Sequence, residues 1–137
     1  MSKGPDLPEV HYRPDEIAVF QYSAVIHNSH RIHYDLAYTR THAGHDRLVV
    51  PGPLQGTYLE QLVSEVTHGR GMLRQFRYRN RAPGYIGDDF YAGGKLLPER
   101  SDENTEVYET WVRRGDGTIT VTGEAHVELF RTTNNGS

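Results

Sequence analysis

The sequence contains no cysteine and no long hydrophobic run, and these absences exclude several classes of protein. Without cysteine, the chain can form neither disulfide bonds nor thiolate sites for catalysis or metal binding. No apolar stretch reaches the length of a transmembrane helix, and the N-terminus lacks the apolar core of a signal peptide. These features predict a soluble protein that resides in the cytoplasm.

The chain also lacks an excess of charge of either sign. Fifteen Lys and Arg residues against eighteen Asp and Glu residues give a net charge of −3, which provides no general attraction to nucleic acid or to an anionic membrane. A length of 137 residues with 36% hydrophobic residues suits one domain with its own core. We expect this domain to span residues 15–131, between an extended, proline-rich N-terminal arm (1–14) and a flexible tail (132–137).

One long helix is predicted near the middle of the chain. Four apolar residues follow each other at four-residue spacing, on one face of a helix: Leu54, Tyr58, Leu62 and Val66. Pro53 suits the first turn and Gly69 suits the end. Upstream, residues 17–26 are rich in apolar and β-favouring residues and predict a strand, whereas residues 35–40 predict a short helix.

Every segment after this helix has the pattern of a strand. Residues 72–80, 89–97 and 105–114 are separated by Pro, Gly or acidic breaks, and residues 118–129 alternate polar with apolar or small side chains. Residues 115–117 (Gly-Asp-Gly) supply a hairpin turn between the last two strands. The order predicts an α+β fold in which an antiparallel sheet wraps around one central helix.

The residues best suited to chemistry are concentrated in two places. Residues 27–35 hold three histidines, an amide and a carboxylate: His27, Asn28, His30, His33 and Asp35. Because imidazole titrates closest to neutrality, a histidine in this segment can transfer protons. Gly52 opens the predicted helix, whose first N–H groups can hold an oxyanion. Together these features provide the minimum apparatus for chemistry beside a carbonyl group.

Three sequence blocks resemble the MaoC-like (R)-specific enoyl-thioester hydratase/dehydratase family. They are residues 22–24 (Tyr-Ser-Ala), 28–35 (Asn-Ser-His-Arg-Ile-His-Tyr-Asp) and 48–54 (Leu-Val-Val-Pro-Gly-Pro-Leu). The resemblance is closest to the subgroup of FAS1-like dehydratase domains and itaconyl-CoA and mesaconyl-CoA hydratases. It implies the hot-dog fold and a lyase that interconverts 2-enoyl and 3-hydroxyacyl thioesters. CoA or phosphopantetheine would then be part of the substrate, with no separate cofactor.

The resemblance also implies two catalytic residues. In the broad family a catalytic Asp lies five residues before a catalytic His, and counting back from His33 leads to Asn28. The subgroup commonly has Asn at this position. His33 is therefore the predicted acid and base, whereas Asn28 cannot titrate and would hold the attacking or leaving water through its amide.

Three further residues are predicted to bind the substrate. The backbone N–H of Gly52 or of Leu54 would meet the thioester oxygen, because Pro53 between them has no N–H. Arg31 would neutralise an acidic acyl group or a phosphate, although a solvated surface arginine explains it equally well. His30 and Asp35 would orient His33 or cap the short helix.

Two positions depart from the family's pattern and leave other functions open. Pro51 stands where the family usually has His before Gly52, and His27 stands where the subgroup usually has an aromatic residue. The chain could therefore be a hot-dog enzyme repurposed for dehydration or cyclisation in secondary metabolism. It could also be a non-catalytic, acyl-binding partner subunit of another hot-dog protein. The exposed sheet edge of a hot-dog domain predicts a homodimer, a higher oligomer or a pairing with a second hot-dog subunit.

The histidine-rich segment and a run of arginines each suggest a further kind of site. The i, i+3, i+6 spacing of the three histidines matches no standard zinc pattern, so we predict no metal site. Five arginines between positions 70 and 81 would either capture phosphates of CoA or a carrier, or protect an exposed strand edge by their charge.

Overall fold

The long helix predicted after Pro51 is present, and an antiparallel sheet wraps around it. The computed structural model describes residues 6–131. Its helices and strands are β1 (Leu7–Tyr12), α1 (Glu16–Val25), α2 (Leu36–His42), α3 (Gly52–Val66), β2 (Gly71–Asn80), β3 (Phe90–Leu96), β4 (Thr105–Arg114) and β5 (Ile119–Leu129). The strand order is β1-β3-β4-β5-β2, and every neighbouring pair is antiparallel. This arrangement confirms the predicted hot-dog fold.

Helix α3 forms the centre of the core because one of its sides is almost entirely apolar. Pro51 precedes the first turn and Pro53 lies within it, where a missing N–H costs little. The buried face of α3 includes Leu59, Leu62 and Val63, which pack against side chains of the surrounding sheet. Each such side chain contributes about 1.5–3 kcal/mol when it leaves water.

The segment predicted as the first strand is a helix instead. Residues 17–26 fall mainly in α1, which begins after Asp15, whose Oδ1 accepts a hydrogen bond from the Ala18 N–H at 2.7 Å. Only Val19 and Ser23, four residues apart, are buried along α1, while Phe20 is exposed. The prediction was wrong because it took β-favouring apolar residues for buried ones, and strand propensity depends on burial.

The predicted N-terminal arm is also corrected, since six of its fourteen residues belong to the sheet. Residues Leu7–Tyr12 form the edge strand β1, which pairs with β3, and Leu7 is only 3% exposed. The domain therefore begins before residue 15. Pro8 is tolerated because it lies on an edge strand, beside an irregularity in the pairing. Residues 1–5 of the predicted arm and the predicted tail, 132–137, lie outside the described residues.

The remaining elements agree with the sequence pattern. Strands β2 to β5 begin and end within one residue of their predicted bounds. The hairpin between β4 and β5 turns at Gly117, whose φ of 90° lies in the left-handed region that favours glycine. Helix α2 follows Asp35, as predicted. Within residues 6–131, every helix is too short or too polar to span a lipid bilayer.

Candidate active site

His33 is held in a buried position by the backbone of a neighbouring segment. It ends a single 3-10 turn (Arg31–His33), and only 7% of it is exposed. Its Nδ1 lies 2.6 Å from the carbonyl oxygen of Val49. A carbonyl only accepts, so Nδ1 carries the proton and donates it to this bond. The Val49 N–H in turn donates to the carbonyl of Ile32 at 2.9 Å. The second ring nitrogen, Nε2, is therefore left with a free lone pair.

The surroundings of His33 favour its uncharged form. Burial lowers the pKa of the imidazole below its usual value, and the nearby His30 lowers it further. The hydrogen bond to Val49 acts in the opposite direction but is the smaller effect. His33 is thus neutral at pH 7, with Nε2 available as a base.

His33 shares one cleft with the first residue of α3. The cleft has a volume of about 460 Å³. Its lining residues come from the 3-10 turn, the start of α3 and the loop after β2: Ile32, His33, Val49, Val50, Gly52, Pro53, Gln55, Asn80, Arg81, Ala82, Pro83 and Gly84. The Gly52 N–H has no hydrogen-bond partner within residues 6–131. The Leu54 N–H donates to the Pro51 carbonyl at 3.1 Å. Of the two predicted backbone donors, only Gly52 is available.

Two cleft residues, Asn80 and Gln55, were not predicted from the sequence. The Asn80 side chain packs against the Cα of Gly52 so closely that a Cβ there would clash with it. Gln55 precedes Leu59 and Val63 at four-residue spacing on the buried face of α3. A polar side chain on that apolar stripe was the signal that could have identified Gln55.

Neither Asn28 nor Arg31 is among the residues that line the cleft. The Oδ1 of Asn28 accepts from the His30 N–H at 3.1 Å, which fixes the turn between α1 and His33. Arg31 donates to one carboxylate oxygen of Asp35 at 2.6 and 3.0 Å, and its guanidinium lies 4.3 Å from the ring centre of Tyr38. The structure therefore brings together His33 and Gly52, but not the other three predicted site residues, Asn28, Arg31 and Leu54.

The two positions that depart from the family's pattern have structural roles. His27 has a φ of 57° and follows the end of α1, where a left-handed residue commonly terminates a helix. Pro51 is buried, and its carbonyl accepts from the N–H groups of Leu54 and Gln55 at 3.1 and 3.3 Å. Within residues 6–131, no three His, Asp or Glu side chains are grouped so that they could hold a metal ion.

Most of the arginines around β2 pair with carboxylates. Arg70 donates to both oxygens of Glu106 at 3.0 and 3.1 Å, and Arg74 donates to Glu128 at 2.5 Å. For Arg79 and Arg81, the part of the chain that the structure describes provides no carboxylate partner. Arg81 lines the cleft. Phosphate capture thus remains an interpretation for these last two residues alone.

The chain is similar to known hydratases and dehydratases of acyl thioesters. A family model described as hydroxyacyl-thioester dehydratase type 2 matches residues 3–86. Mesaconyl-C(4)-CoA hydratase of Chloroflexus aurantiacus is 37% identical over 84 residues, which cover 57% of this chain and 29% of that protein. The mitochondrial hydroxyacyl-thioester dehydratase type 2 of Schizosaccharomyces pombe is 33% identical over 76 residues, covering 55% and 25%. The chain thus spans less than a third of the length of these curated relatives.

Solved structures extend the likeness to the whole fold. The (R)-hydratase from A. caviae involved in PHA biosynthesis superposes with a TM-score of 0.84 at 22% identity, covering 95% of this chain and 98% of that one. The ChsH1-ChsH2 complex from Mycobacterium tuberculosis gives a TM-score of 0.82 at 15% identity, covering 93% and 97%. At these identities both likenesses show the fold alone.

The family match covers more than half of the chain and includes the segments that build the cleft. It begins before β1 and extends past Gly84, so that it contains His33, Gly52 and Gln55. The chain belongs to the hydroxyacyl-thioester dehydratase type 2 family.

Proposed function

We propose that this protein is a lyase that interconverts a 2-enoyl and a 3-hydroxyacyl thioester, carried by CoA or by the phosphopantetheine of a carrier protein. One observation carries the proposal: the neutral Nε2 of His33 and the unpaired N–H of Gly52 belong to residues that line the same cleft. A base and an oxyanion donor are the two groups that this reaction requires. The names of both curated relatives, a CoA-thioester hydratase and a hydroxyacyl-thioester dehydratase, support the same chemistry.

The proposed hydration needs only one titrating residue. Nε2 of His33 takes a proton from water while the water oxygen bonds to C3 of the enoyl group. The electron pair of the C2–C3 double bond moves toward the thioester, and the Gly52 N–H stabilises the charge on its oxygen; a donor of this kind is worth about 2.7–4 kcal/mol. The imidazolium then returns the proton to C2. Dehydration follows the same steps in reverse.

Asn28 has a supporting role in this proposal. Its Oδ1 is committed to the His30 N–H, whereas its Nδ2 has no hydrogen-bond partner within residues 6–131. Since Asn28 lies outside the residues that line the cleft, its role in this proposal is to fix the turn that carries His33, and the water-holding role stays a prediction from the resemblance. Arg31 is paired with Asp35 and the Leu54 N–H with Pro51, and neither residue lines the cleft, so this proposal assigns neither of them a direct contact with the substrate.

The proposal is tested by turnover of defined thioesters. Purified protein is incubated with short, branched and dicarboxylic 2-enoyl-CoA esters, and loss of the enoyl thioester is followed together with formation of the 3-hydroxyacyl product. We expect turnover of at least one ester, and its loss in His33→Ala. His68→Ala serves as the control, because His68 is exposed in the turn after α3. Absence of turnover across the panel, or full activity of His33→Ala, would contradict the proposal.

We further propose that the protein functions as a homodimer or with a second hot-dog subunit. Strand β2 ends the sheet, and two large apolar side chains on it, Met72 and Tyr78, are 53% and 39% exposed. An unpaired edge of this kind favours pairing with another chain. Light scattering of wild type and of Met72→Lys tests this proposal, with Ile119→Lys on the interior strand β5 as the control.

We also propose a cytoplasmic location, which the lack of cysteine supports.

A further inference from the structure

A buried glutamine lies in the wall of the proposed active site. Gln55 is only 2% exposed and lies on α3, three residues beyond Gly52. It lines the cleft together with His33 and Gly52, and its Nε2 is close to Gly84, another lining residue. The mechanism proposed above does not use this side chain.

The oxygen of the Gln55 side-chain amide already accepts a hydrogen bond from within the protein. The Thr120 hydroxyl lies 2.5 Å from Oε1 of Gln55 and 3.2 Å from the Val112 carbonyl oxygen. A hydroxyl has one proton, so the shorter contact receives it and Oε1 acts as the acceptor. Nε2 carries two further protons and has no acceptor within residues 6–131. Nε2 is not among the fully buried side-chain atoms of residues 6–131 that lack a partner, so it reaches the open space of the cleft, where a ligand can accept a hydrogen bond from it.

Other residues that line the cleft also provide hydrogen-bond donors. The polar lining groups of the cleft are the Gly52 N–H, the amides of Gln55 and Asn80, the Arg81 guanidinium and Nε2 of His33, which is the one pure acceptor among them. No carboxylate is among the lining residues. Such a cleft suits a ligand that presents several oxygen acceptors, whereas a plain alkyl chain would leave these donors unpaired.

From this arrangement we propose that Gln55 determines substrate specificity. Its Nε2 donates a hydrogen bond to an oxygen of the acyl group other than the thioester carbonyl, which Gly52 receives. The enzyme therefore prefers 2-enoyl thioesters with a carboxylate or keto oxygen beyond C3 over plain alkyl ones. This inference rests on the proposed function and adds the class of acyl group to it.

The test compares two CoA thioesters of equal chain length, one ending in an alkyl group and one bearing a carboxylate or ketone beyond C3. A site built to bond an oxygen strongly rejects the analogue that lacks it. We expect wild type to prefer the oxygenated ester at least about tenfold in kcat/KM. Gln55→Met should lower kcat/KM for that ester about tenfold or more, mainly through KM, and change the alkyl ester less than about twofold. Gln61→Met, on the exposed side of α3, is the matched control and should change neither.

Binding measurements separate this inference from the proposed function. Calorimetric titration of both thioesters into wild type and Gln55→Met reports selectivity even without turnover. Turnover with no preference in wild type, or an equal loss for both esters in Gln55→Met, would overturn the role of Gln55 and leave the proposed function standing. Selective binding without turnover would overturn the proposed function and leave the role of Gln55 in substrate binding standing. If Gln55→Met does not fold, Gln55→Glu keeps the size and the Thr120 partner but removes the donor, and the same loss is expected.

Discussion

The Nδ1 atom of His33 donates a hydrogen bond to the carbonyl oxygen of Val49 across 2.6 Å. This contact fixes the tautomer of the ring and leaves Nε2 as the nitrogen that can exchange protons with a substrate. It also connects two of the sequence blocks of the resemblance, because Val49 lies just before the residues that open α3. The proposed base and the proposed oxyanion donor are therefore positioned by the same short segment of backbone.

The pH dependence of hydration should follow the neutral form of His33. Since burial lowers its pKa below the usual value of about 6.5, activity should already be at its plateau at pH 7. Below that pKa the rate should fall about tenfold per pH unit, because Nε2 becomes protonated. A pH–rate profile of wild type measures this limb, and a midpoint above 6.5 would contradict the assignment.

The lowered pKa of His33 also predicts that the free energy of unfolding decreases as the pH falls below about 6.5. Because the folded protein binds the His33 proton less readily than the unfolded chain, the contribution of the neutral ring is complete above about pH 6.5. It is lost as the pH falls from there through the lower, folded pKa. His33→Gln should flatten this part of the curve when the free energy of unfolding is measured by urea titration between about pH 5 and 8.

A double-mutant cycle should reveal the close packing of Gly52 against Asn80. A Cβ at position 52 would meet the far end of the exposed Asn80 side chain, which must turn aside, so Gly52→Ala should cost about 1 kcal/mol or less of folding free energy. Asn80→Ala removes the obstacle, and the double variant should recover that loss, with a coupling of about 0.5–1 kcal/mol. Urea unfolding of wild type, both single variants and the double variant measures this coupling. Additive losses would show that the two residues do not interact.

The sequence predicted the α3 helix and four strands because their patterns reflect the environment in which they fold. Helix α3 has an apolar face that is buried, and the alternation in β5 matches a strand that pairs on both sides. Helix α1 was missed because its apolar residues, such as Phe20, are exposed, so composition gave the wrong signal. Strand β1 was missed because Pro5 and Pro8 suggested an irregular arm, and an edge strand tolerates proline.

The candidate site was predictable only where it is local in sequence. His33 and Gly52 stand in recognisable blocks, and the structure places both in one cleft. Asn80 and Gln55 reach the cleft through the crossing of α3 with the end of β2 and with β5. These contacts join residues 28 and 65 positions apart, Gly52 with Asn80 and Gln55 with Thr120, and no local pattern encodes them.

Asp35 should stabilise α2 chiefly as a cap. Its Oδ1 accepts from the Tyr38 N–H at 3.0 Å, while its other oxygen pairs with the exposed Arg31. Asp35→Ala should lower the melting temperature, because it removes both the capping oxygen and the ion pair. Asp35→Asn retains a capping oxygen and should lower the melting temperature much less, because an exposed ion pair contributes little. Thermal unfolding of the two variants distinguishes the contributions, and equal losses would show that the ion pair matters more than the cap.

His27 should be replaceable by glycine with a gain in stability. Its φ of 57° is a left-handed conformation that costs a non-glycine residue about 1–2 kcal/mol. A glycine at this position would adopt the conformation freely but would also gain entropy in the unfolded chain, so we expect His27→Gly to add about 1 kcal/mol. His27→Ala is the matched control, because it removes the imidazole and keeps the backbone strain. If His27→Ala alone abolished turnover, the imidazole would belong to the active site. If both variants turn over the enoyl thioester normally, His27 serves only to end α1 ahead of Asn28.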